Sequence, residues 1–288
     1  MPERGSYGPR PPECLAPARM SDAKPVPPPP RDNRLLAALP LTDYNRLLPS
    51  LEPVSLPLGW TIYGPRDREK YLYFVTAGIV SRLYVTTNGA SVEFAITGSE
   101  GVIGVASFLG GKSLPSQSVV MSAGHSHRLA AEVLKGEFEQ GGPLQRLLLC
   151  YTEALIVQIG QVAVCNRRHT LEQRLCRWLL SCLDRLPSGE LTMTQELVAH
   201  ALGVRREGVT EVIGDLQRAG AIRCSRGRIA VLDRAALQAH ACECYAVVKK
   251  EYDRLLYPAI GLGADGLQRR CRQHHMPIGE DFVDVLPA

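Results

Sequence analysis

The sequence lacks any run of about 18 apolar residues, the length that a transmembrane helix needs. Its proline-rich N-terminus also lacks the apolar core of a secretory signal. We therefore expect no membrane partner, and the sequence predicts a cytoplasmic protein. The formal net charge is only +4, so nucleic-acid binding has to be argued from local patterns rather than from excess positive charge.

The nine cysteines are scattered along the chain and form no repeated Cys-x-x-Cys framework. In a reducing compartment such cysteines are mostly free thiols, several of them buried. The pattern favours neither a disulfide scaffold nor a metal centre, so we expect no metal site and no cofactor.

Proline is concentrated in residues 1–30, which end in Pro-Val-Pro-Pro-Pro-Pro. A segment of this composition buries too little apolar surface to fold, and we predict a disordered tail. Residues 258–288 form a second tail to which we assign no function. The 288-residue chain leaves room for two domains between the tails, each with its own core.

Between Leu51 and Leu134 the hydrophobic pattern alternates with a period of two, which is typical of β-strands. The clearest runs are 71–75, 79–85, 91–96 and 118–121. Asn88-Gly89 tolerates the backbone angles of a tight turn, so the second and third runs should pair antiparallel. Several short strands with regular turn signals predict a small barrel or sandwich.

A long helix follows, with Pro143 in its first turn, where a missing N–H costs nothing. Seven residues spaced in steps of four and three form a coiled-coil-like seam. They are Leu144, Leu148, Tyr151, Leu155, Gln158, Val162 and Cys165. Such a seam can dock on the preceding β domain or pair with a second copy of the chain. We predict the second alternative, a homodimer, in which Gln158 would set the register.

A further helix over 171–186 ends at Pro187-Ser188-Gly189 and leads into the most informative segment. There Thr194 can cap a short helix over 195–202, Gly203 provides a sharp turn, and a second amphipathic helix runs over 205–219. The stretch 221–232 then predicts a hairpin. Two helices joined at a glycine turn and followed by a hairpin are typical of a winged helix-turn-helix.

The first turn of the second helix is predicted to reach base edges, through Arg205, Arg206, Glu207 and Thr210. Arginine can hold guanine with two hydrogen bonds, and a carboxylate can accept one from cytosine. Arg226 and Arg228 at the hairpin suit phosphate contacts. Candidate DNA contacts also include Thr194 and Gln195, at the start of the first helix. Residues 190–234 carry seven Arg against six Asp and Glu. Because the net charge is so small, DNA binding requires that the arginines be concentrated on one side of the domain.

The chain resembles the Crp-Fnr family of bacterial regulators over about residues 35–256. The stretch Leu-Gly-Val-Arg-Arg-Glu-Gly-Val-Thr, residues 202–210, matches the family's glycine turn and reading helix, and residues 166–175 resemble its hinge. The resemblance implies a cyclic-nucleotide-binding-like β-roll, a dimer helix and a winged helix-turn-helix. It places Arg206 and Glu207 on the main base-contacting positions. Glu211 stands at a third position, where the family's best-known member has arginine, so the preferred DNA sequence should differ.

The sensor half departs from family members that bind cyclic AMP. Their phosphate-binding segment carries a Glu for the ribose and an Arg for the phosphate. Here Ile103-Gly104-Val105-Ala106 has no Glu, and Pro115-Ser116-Gln117-Ser118 has no Arg. An unpaired, desolvated phosphate is costly, so we expect no cyclic AMP binding, and the cofactor-binding residues are unknown. Only Cys14 precedes Cys150, which excludes the family's N-terminal iron–sulfur centre.

Two further motifs compete with this interpretation. Cys242-Glu243-Cys244 is predicted to lie in a helix over 233–256, where residues two apart diverge and chelate poorly. His240 and Cys244 would form an i, i+4 pair there, but packing of a C-terminal helix is the favoured explanation.

His125-Ser126-His127 with Glu132 would place two imidazoles on one face of a strand, as in a cupin metalloenzyme. The cupin glycines are missing, since positions 119 and 139 are Val119 and Glu139. We therefore predict a protein that is not an enzyme. A regulator of the same fold that does not bind DNA stays a further alternative.

The sequence thus predicts an α+β protein, with a β-roll resembling a jelly roll, a long dimerisation helix and a C-terminal winged helix-turn-helix. The predicted ranges are 31–142 for the sensor domain, 143–168 for the dimerisation helix and 169–257 for the DNA-binding domain. Expected partners are double-stranded DNA, a second copy of the chain, RNA polymerase and an effector of unknown identity.

Overall fold

The computed structural model describes residues 27–87, 89–186, 190–225 and 227–256. The predicted N-terminal tail lies largely outside this range, as do Asn88, the segment 187–189, Arg226 and the C-terminal tail. The first described helices are α1 (Arg34–Ala38) and α2 (Leu41–Leu47). Leu35, Leu36 and Leu47 of these helices are buried in the core of the first domain.

The first domain is built on one antiparallel sheet. Its strands are β1 (Glu52–Leu56), β2 (Thr61–Tyr63), β3 (Tyr71–Val85), β4 (Ser91–Thr97), β5 (Val102–Ile103) and β6 (Gln117–Ala130), with the short helix α3 (Ala106–Leu109) before β6. The main order is β1-β6-β3-β4, and β2 and β5 pair with β6 and β3. The runs predicted over 71–75 and 79–85 belong to one strand, whose register shifts between them. The predicted antiparallel pairing is confirmed from Val80 opposite Thr97 to Val85 opposite Ser91.

The sheet is followed by α4 (Ala131–Glu139), α5 (Pro143–Arg168) and α6 (Leu171–Leu183). Thr170 caps α6 with a capping box: its hydroxyl accepts from the backbone N–H of Gln173, whose side chain accepts from the backbone N–H of Thr170. The paired bonds satisfy two of the backbone donors that a helix start leaves free. The chain direction between α5 and α6 is therefore fixed by local hydrogen bonds.

The predicted dimer seam on α5 is buried inside the chain itself, so its assignment to a dimer interface is corrected here. All seven residues, Leu144, Leu148, Tyr151, Leu155, Gln158, Val162 and Cys165, are at most 8% exposed. Leu144 to Leu155 join the core of the β domain, and Cys165 lies among other cysteines. Periodicity correctly marked an apolar face, but it could not say whether the partner was this chain or another.

The opposite face of α5 is exposed and partly apolar. Leu149 is 47% exposed, Ile156 64% and Val164 48%, with Gly160 and Ala163 between them at the surface. By length and composition alone, α5 could also cross a membrane, which the search for apolar runs did not predict. That evidence is weak, because a soluble protein's core helix passes the same test, and the inward face of α5 packs on the β domain.

The C-terminal domain contains β7 (Glu190–Thr192), α7 (Gln195–Leu202), α8 (Arg206–Arg218), β8 (Ile222–Ser225) and β9 (Arg228–Val231). These strands form a three-stranded sheet in the order β7-β9-β8. The sequence predicted the β8–β9 hairpin and missed β7, a strand of only three residues. The α+β fold of a β-roll, a long helix and a winged helix-turn-helix is confirmed.

The predicted single helix over 233–256 is wrong. It is divided into α9 (Arg234–His240) and α10 (Cys244–Leu256), so Cys242 lies in the break between them. His240 pairs with Glu172 at 2.6 Å, while Cys244 contacts His169 at 3.6 Å. The argument that Cys242 and Cys244 diverge on one helix therefore does not apply.

A buried carboxyl group joins the two domains. Glu93 on β4 accepts hydrogen bonds from the Trp178 indole on α6, at 2.7 Å, and from the Ser81 hydroxyl, at 2.5 Å. Burial raises the pKa of Glu93 to about 7, although its hydrogen bonds and Arg177 act in the opposite direction. The β domain and the C-terminal domain therefore meet at a carboxyl group whose pKa is close to neutrality.

This raised pKa predicts a pH-dependent stability. Because the folded-state pKa exceeds the ordinary value of about 4.3, Glu93 binds its proton more tightly in the folded state. Its contribution is complete below about pH 4.3 and is lost as the pH rises through about 7. Chemical unfolding between pH 5 and 8 should show this loss in the wild type. Glu93→Gln should flatten the curve, and an unchanged slope in the variant would contradict the assignment.

Candidate DNA-binding face

The two helices of the motif are held by a turn that only glycine suits well. Gly203 ends α7 with φ +62°, in the left-handed region, and its N–H bonds to backbone carbonyls of the last turn of α7. A Cβ at this position would also meet a methyl group of Val92 on β4 at 2.8 Å. The turn therefore needs glycine for its backbone angles and for its close approach to the β domain.

Helix α8 is amphipathic in the manner that the sequence predicted. Val209, Ile213 and Leu216 are buried on its inner face. The candidate base-reading residues Arg205, Arg206, Glu207, Thr210 and Glu211 are all exposed. Arg205 is the N-cap of the helix, so the first turn presents two guanidinium groups and one carboxylate to solvent.

Side chains of the two helices contact each other at the candidate face. The Thr210 hydroxyl lies 2.8 Å from Gln195 Oε1 and 3.0 Å from the Arg206 carbonyl. Thr194 caps α7, accepting from the Leu197 N–H at 3.3 Å. Thr210 and Gln195 thus orient each other, and Thr194 has a structural role beside its predicted DNA contact.

The wing carries exposed positive charge next to this face. Arg228 begins β9 and is exposed, opposite Ser225 of β8 and Thr192 of β7. Arg226 lies outside the described residues. Arg223, on β8, is a further exposed cation that the sequence analysis did not select. Arg223 follows the buried Ile222 on the same strand, and because neighbouring strand residues point to opposite faces, this alternation could have identified it as exposed.

A depression between α7 and the first turn of α8 adds two residues to the candidate face. It is lined by Glu196, Ala199, His200, Val204, Arg205, Arg206 and Glu207. His200 and Glu196 were not selected from the sequence. Their i, i+4 spacing on the exposed side of the first helix could have identified them. The depression mixes both signs of charge, in agreement with the nearly balanced composition of this segment.

In the sensor domain, an internal carboxylate occupies the start of α3, the segment where the resemblance places the phosphate-binding residues. Glu69 is buried and accepts from the Ala106 N–H at 2.6 Å. Burial raises its pKa, whereas backbone hydrogen bonds from Ala106 and Ser107 and the charge of Arg82 lower it. The backbone N–H groups at the start of α3, which could otherwise bind a phosphate, therefore already donate to the Glu69 carboxylate of the same chain.

The histidines of the competing cupin hypothesis do not form a metal site with Glu132 within the part of the chain that the structure describes. His127 is buried, and burial lowers its pKa, whereas Glu132 is exposed and lies 4.0 Å from Arg68. Among the described residues, potential metal ligands come together at a different place, at Cys165, His169, Cys242 and Cys244.

Several known proteins are similar to this chain in sequence. Residues 173–240 match the Crp-like helix-turn-helix domain. The global nitrogen regulator of Synechococcus elongatus is 25% identical over 188 residues, which cover 62% of this chain and 85% of that protein. The same-named protein of Synechocystis is also 25% identical, over 62% of this chain and 83% of its own length.

Solved structures agree with the fold. FixK2 from Bradyrhizobium japonicum superposes with a TM-score of 0.59 at 19% identity, covering 67% of this chain and 98% of that one. A CRP/FNR family transcriptional regulator from Thermus thermophilus superposes with a TM-score of 0.51 at 26% identity, covering 66% and 98%. Helix α8 and its glycine turn lie within the matched segment, so residues 173–240 form a Crp-like helix-turn-helix domain, and the chain as a whole has the fold of the Crp/Fnr regulators.

Proposed function

We propose that the chain acts as a homodimer on an inverted-repeat operator in double-stranded DNA. The observation that carries this proposal is the first turn of α8, where Arg205, Arg206 and Glu207 are exposed while the rest of the helix is anchored by its buried face. An arginine at this position can read guanine, and a carboxylate can read cytosine. The wing arginines Arg226 and Arg228 would bind phosphates and position the helix.

The exposed face of α5 supports the dimer. Leu149, Ile156 and Val164 would otherwise leave an apolar stripe in water. Gly160 and Ala163 are small and exposed on the same helix, so a second helix could approach closely. Pairing α5 with its copy would bury this stripe. In such a dimer the two α8 helices would enter successive major grooves about 34 Å apart.

The sensor domain, in this proposal, does not bind cyclic AMP. Glu69 already holds the Ala106 N–H at the start of α3, and a cyclic phosphate there would face this carboxylate. Repulsion between two anions in a buried site is costly. A different effector, acting in the cytoplasm, would change the relative free energy of DNA-competent and DNA-incompetent arrangements. RNA polymerase would be the partner at the promoter.

Two alternatives lead to different observations. A regulator of the same fold that acts only through protein contacts would show no salt-dependent DNA affinity, whereas phosphate contacts release counterions and make affinity fall with salt. An enzyme of the cupin class would need a metal at His125 and His127, where the structure brings no third ligand together among the described residues.

Replacing Arg206 tests the reading face. Purified full-length protein should select an inverted repeat from a random DNA pool, and Arg206→Ala should lose the preference at one base position in each half-site. The expected cost at that position is roughly 1–3 kcal/mol, or about 5- to 150-fold in affinity. Binding titrations against single-base variants measure it. Arg218→Ala, at the other end of the same helix, is the matched control; equal weakening on every sequence would refute base reading by Arg206.

Replacing Ile156 tests the dimer. Ile156→Glu places a charge in the centre of the proposed interface, and an unpaired buried charge costs several kcal/mol. We expect a monomer in sedimentation analysis and weak binding to the full operator. Leu41→Glu, at a surface position of similar exposure on α2, should remain dimeric. A dimer that survives Ile156→Glu would show that the copies pair through another surface.

Ligand titration tests the sensor. Binding to the folded state alone raises the unfolding midpoint in proportion to the logarithm of ligand concentration. Millimolar cyclic AMP should leave the midpoint of the wild type unchanged. A concentration-dependent rise that disappears when the start of α3 is altered would establish a nucleotide site after all.

A further inference from the structure

Three thiols and one imidazole meet where the last turn of α5 lies against the break between α9 and α10. Cys165 and His169 come from the end of α5, and Cys242 and Cys244 come from the break and the first residue of α10. Their four potential ligand atoms all lie within 4.8 Å of one another. The three cysteines are at most 4% exposed, and the His169 side chain is 12% exposed.

We propose that Cys165, His169, Cys242 and Cys244 bind a single zinc ion in tetrahedral coordination. Cys165 Sγ is 3.5 Å from Cys242 Sγ, and Cys244 Sγ is 3.6 Å from His169 Nδ1. A tetrahedral zinc ion, with Zn–S bonds of about 2.3 Å and Zn–N bonds of about 2.0–2.1 Å, holds its ligand atoms roughly 3.5–3.8 Å apart. Both separations are those of a single ion.

The chemistry of the four ligand atoms favours zinc over other metals. Three thiolates and one imidazole form a soft set that favours zinc over the oxygen-seeking cations. An iron–sulfur cluster places several iron and sulfide atoms between its thiolates, so it needs a wider spacing than these atoms have. Four protein ligands also close the coordination sphere, which is the pattern of structural rather than catalytic zinc.

The surroundings support the imidazole and the charge. His169 Nε2 lies 3.2 Å from Glu243 Oε1, so the nitrogen turned away from the thiols has the carboxylate partner that metal-bound histidines usually have. Zinc with three thiolates carries a net negative charge. Arg177, whose side chain is buried, acts electrostatically on Cys165 and would balance part of this charge.

Metal ligation requires thiolates and favours their formation, so the three cysteines would bind the ion in their deprotonated form.

The ion would fasten the DNA-binding domain to the long helix. Cys165 and Cys242 are 77 positions apart, and the segment between them contains all of α6, α7, α8 and α9. The match to the Crp-like domain ends at residue 240, so Cys242, Cys244 and α10 lie beyond it. The site is independent of the DNA sequence that α8 reads, and its metal content can be measured without DNA.

Metal analysis of the untagged, reduced, full-length chain tests the proposal. After exhaustive dialysis we expect close to one zinc ion per chain, and the cobalt-substituted protein should show the visible bands of tetrahedral thiolate coordination. Cys242→Ser and Cys244→Ser should each lose the metal, whereas Cys150→Ser, on the same long helix but outside the cluster, should retain it.

Glu243→Gln keeps the test valid if the cysteine variants fail to fold, since the Glu243 side chain is 71% exposed. This variant should still bind one ion, but about 10-fold more weakly in competition with a chelator. Four results would overturn the proposal: no metal on the folded, reduced, zinc-supplied chain; full metal content in Cys242→Ser; acid-labile sulfide with iron; or unchanged chelator competition in Glu243→Gln.

Discussion

The packing of the inward face of α5 is the constraint on which the rest of the structure depends. Tyr151 is fully buried there, and its hydroxyl lies 3.1 Å from Thr97 Oγ1 and 3.1 Å from the Val102 carbonyl. A Cβ at Gly101 would come within 2.4 Å of its ring. A buried phenol needs its hydrogen bonds, so Tyr151 fixes the register of α5 along the β domain.

The same face also positions the C-terminal end of the chain. The Tyr252 ring on α10 packs edge-on to Tyr151, with centroids 6.4 Å apart, and its hydroxyl lies 3.5 Å from Gln158. The polar residue that the sequence analysis assigned to a dimer register therefore binds within its own chain. Since α10 follows the Crp-like domain matched over residues 173–240, α5 contacts the chain on both sides of that domain.

Much of this architecture could be predicted because its signals are local. The glycine turn at Gly203, the buried positions of α8 and the hairpin before residue 232 each follow from spacing within about one element. The direction in which α5 faces could not be predicted, because Leu148 and Ile156 are both apolar and only tertiary contacts distinguish them.

The cysteine cluster escaped prediction for a related reason. Cys165 and His169 have i, i+4 spacing, but their partners lie more than 70 positions away, and their meeting depends on the break after His240. The sequence suggests a continuous helix there. Nothing local in Ala241-Cys242-Glu243 identifies the break, since none of these residues is a proline or a glycine.

With the proposed zinc ion bound, both ends of the DNA-binding domain are attached at a single point. Residues 170–241 leave the cluster at His169 and return to it at Cys242, so the domain could rotate about this point but could not move away from it. Rotation would have to release the Trp178–Glu93 bond and the bond from Tyr245 to Asp184, which is 2.8 Å long. Each contact joins the domain to an element outside it, to β4 and to α10. In the function proposed above, an effector would act by favouring or opposing the release of these contacts, because a ligand that bound both arrangements equally would shift nothing.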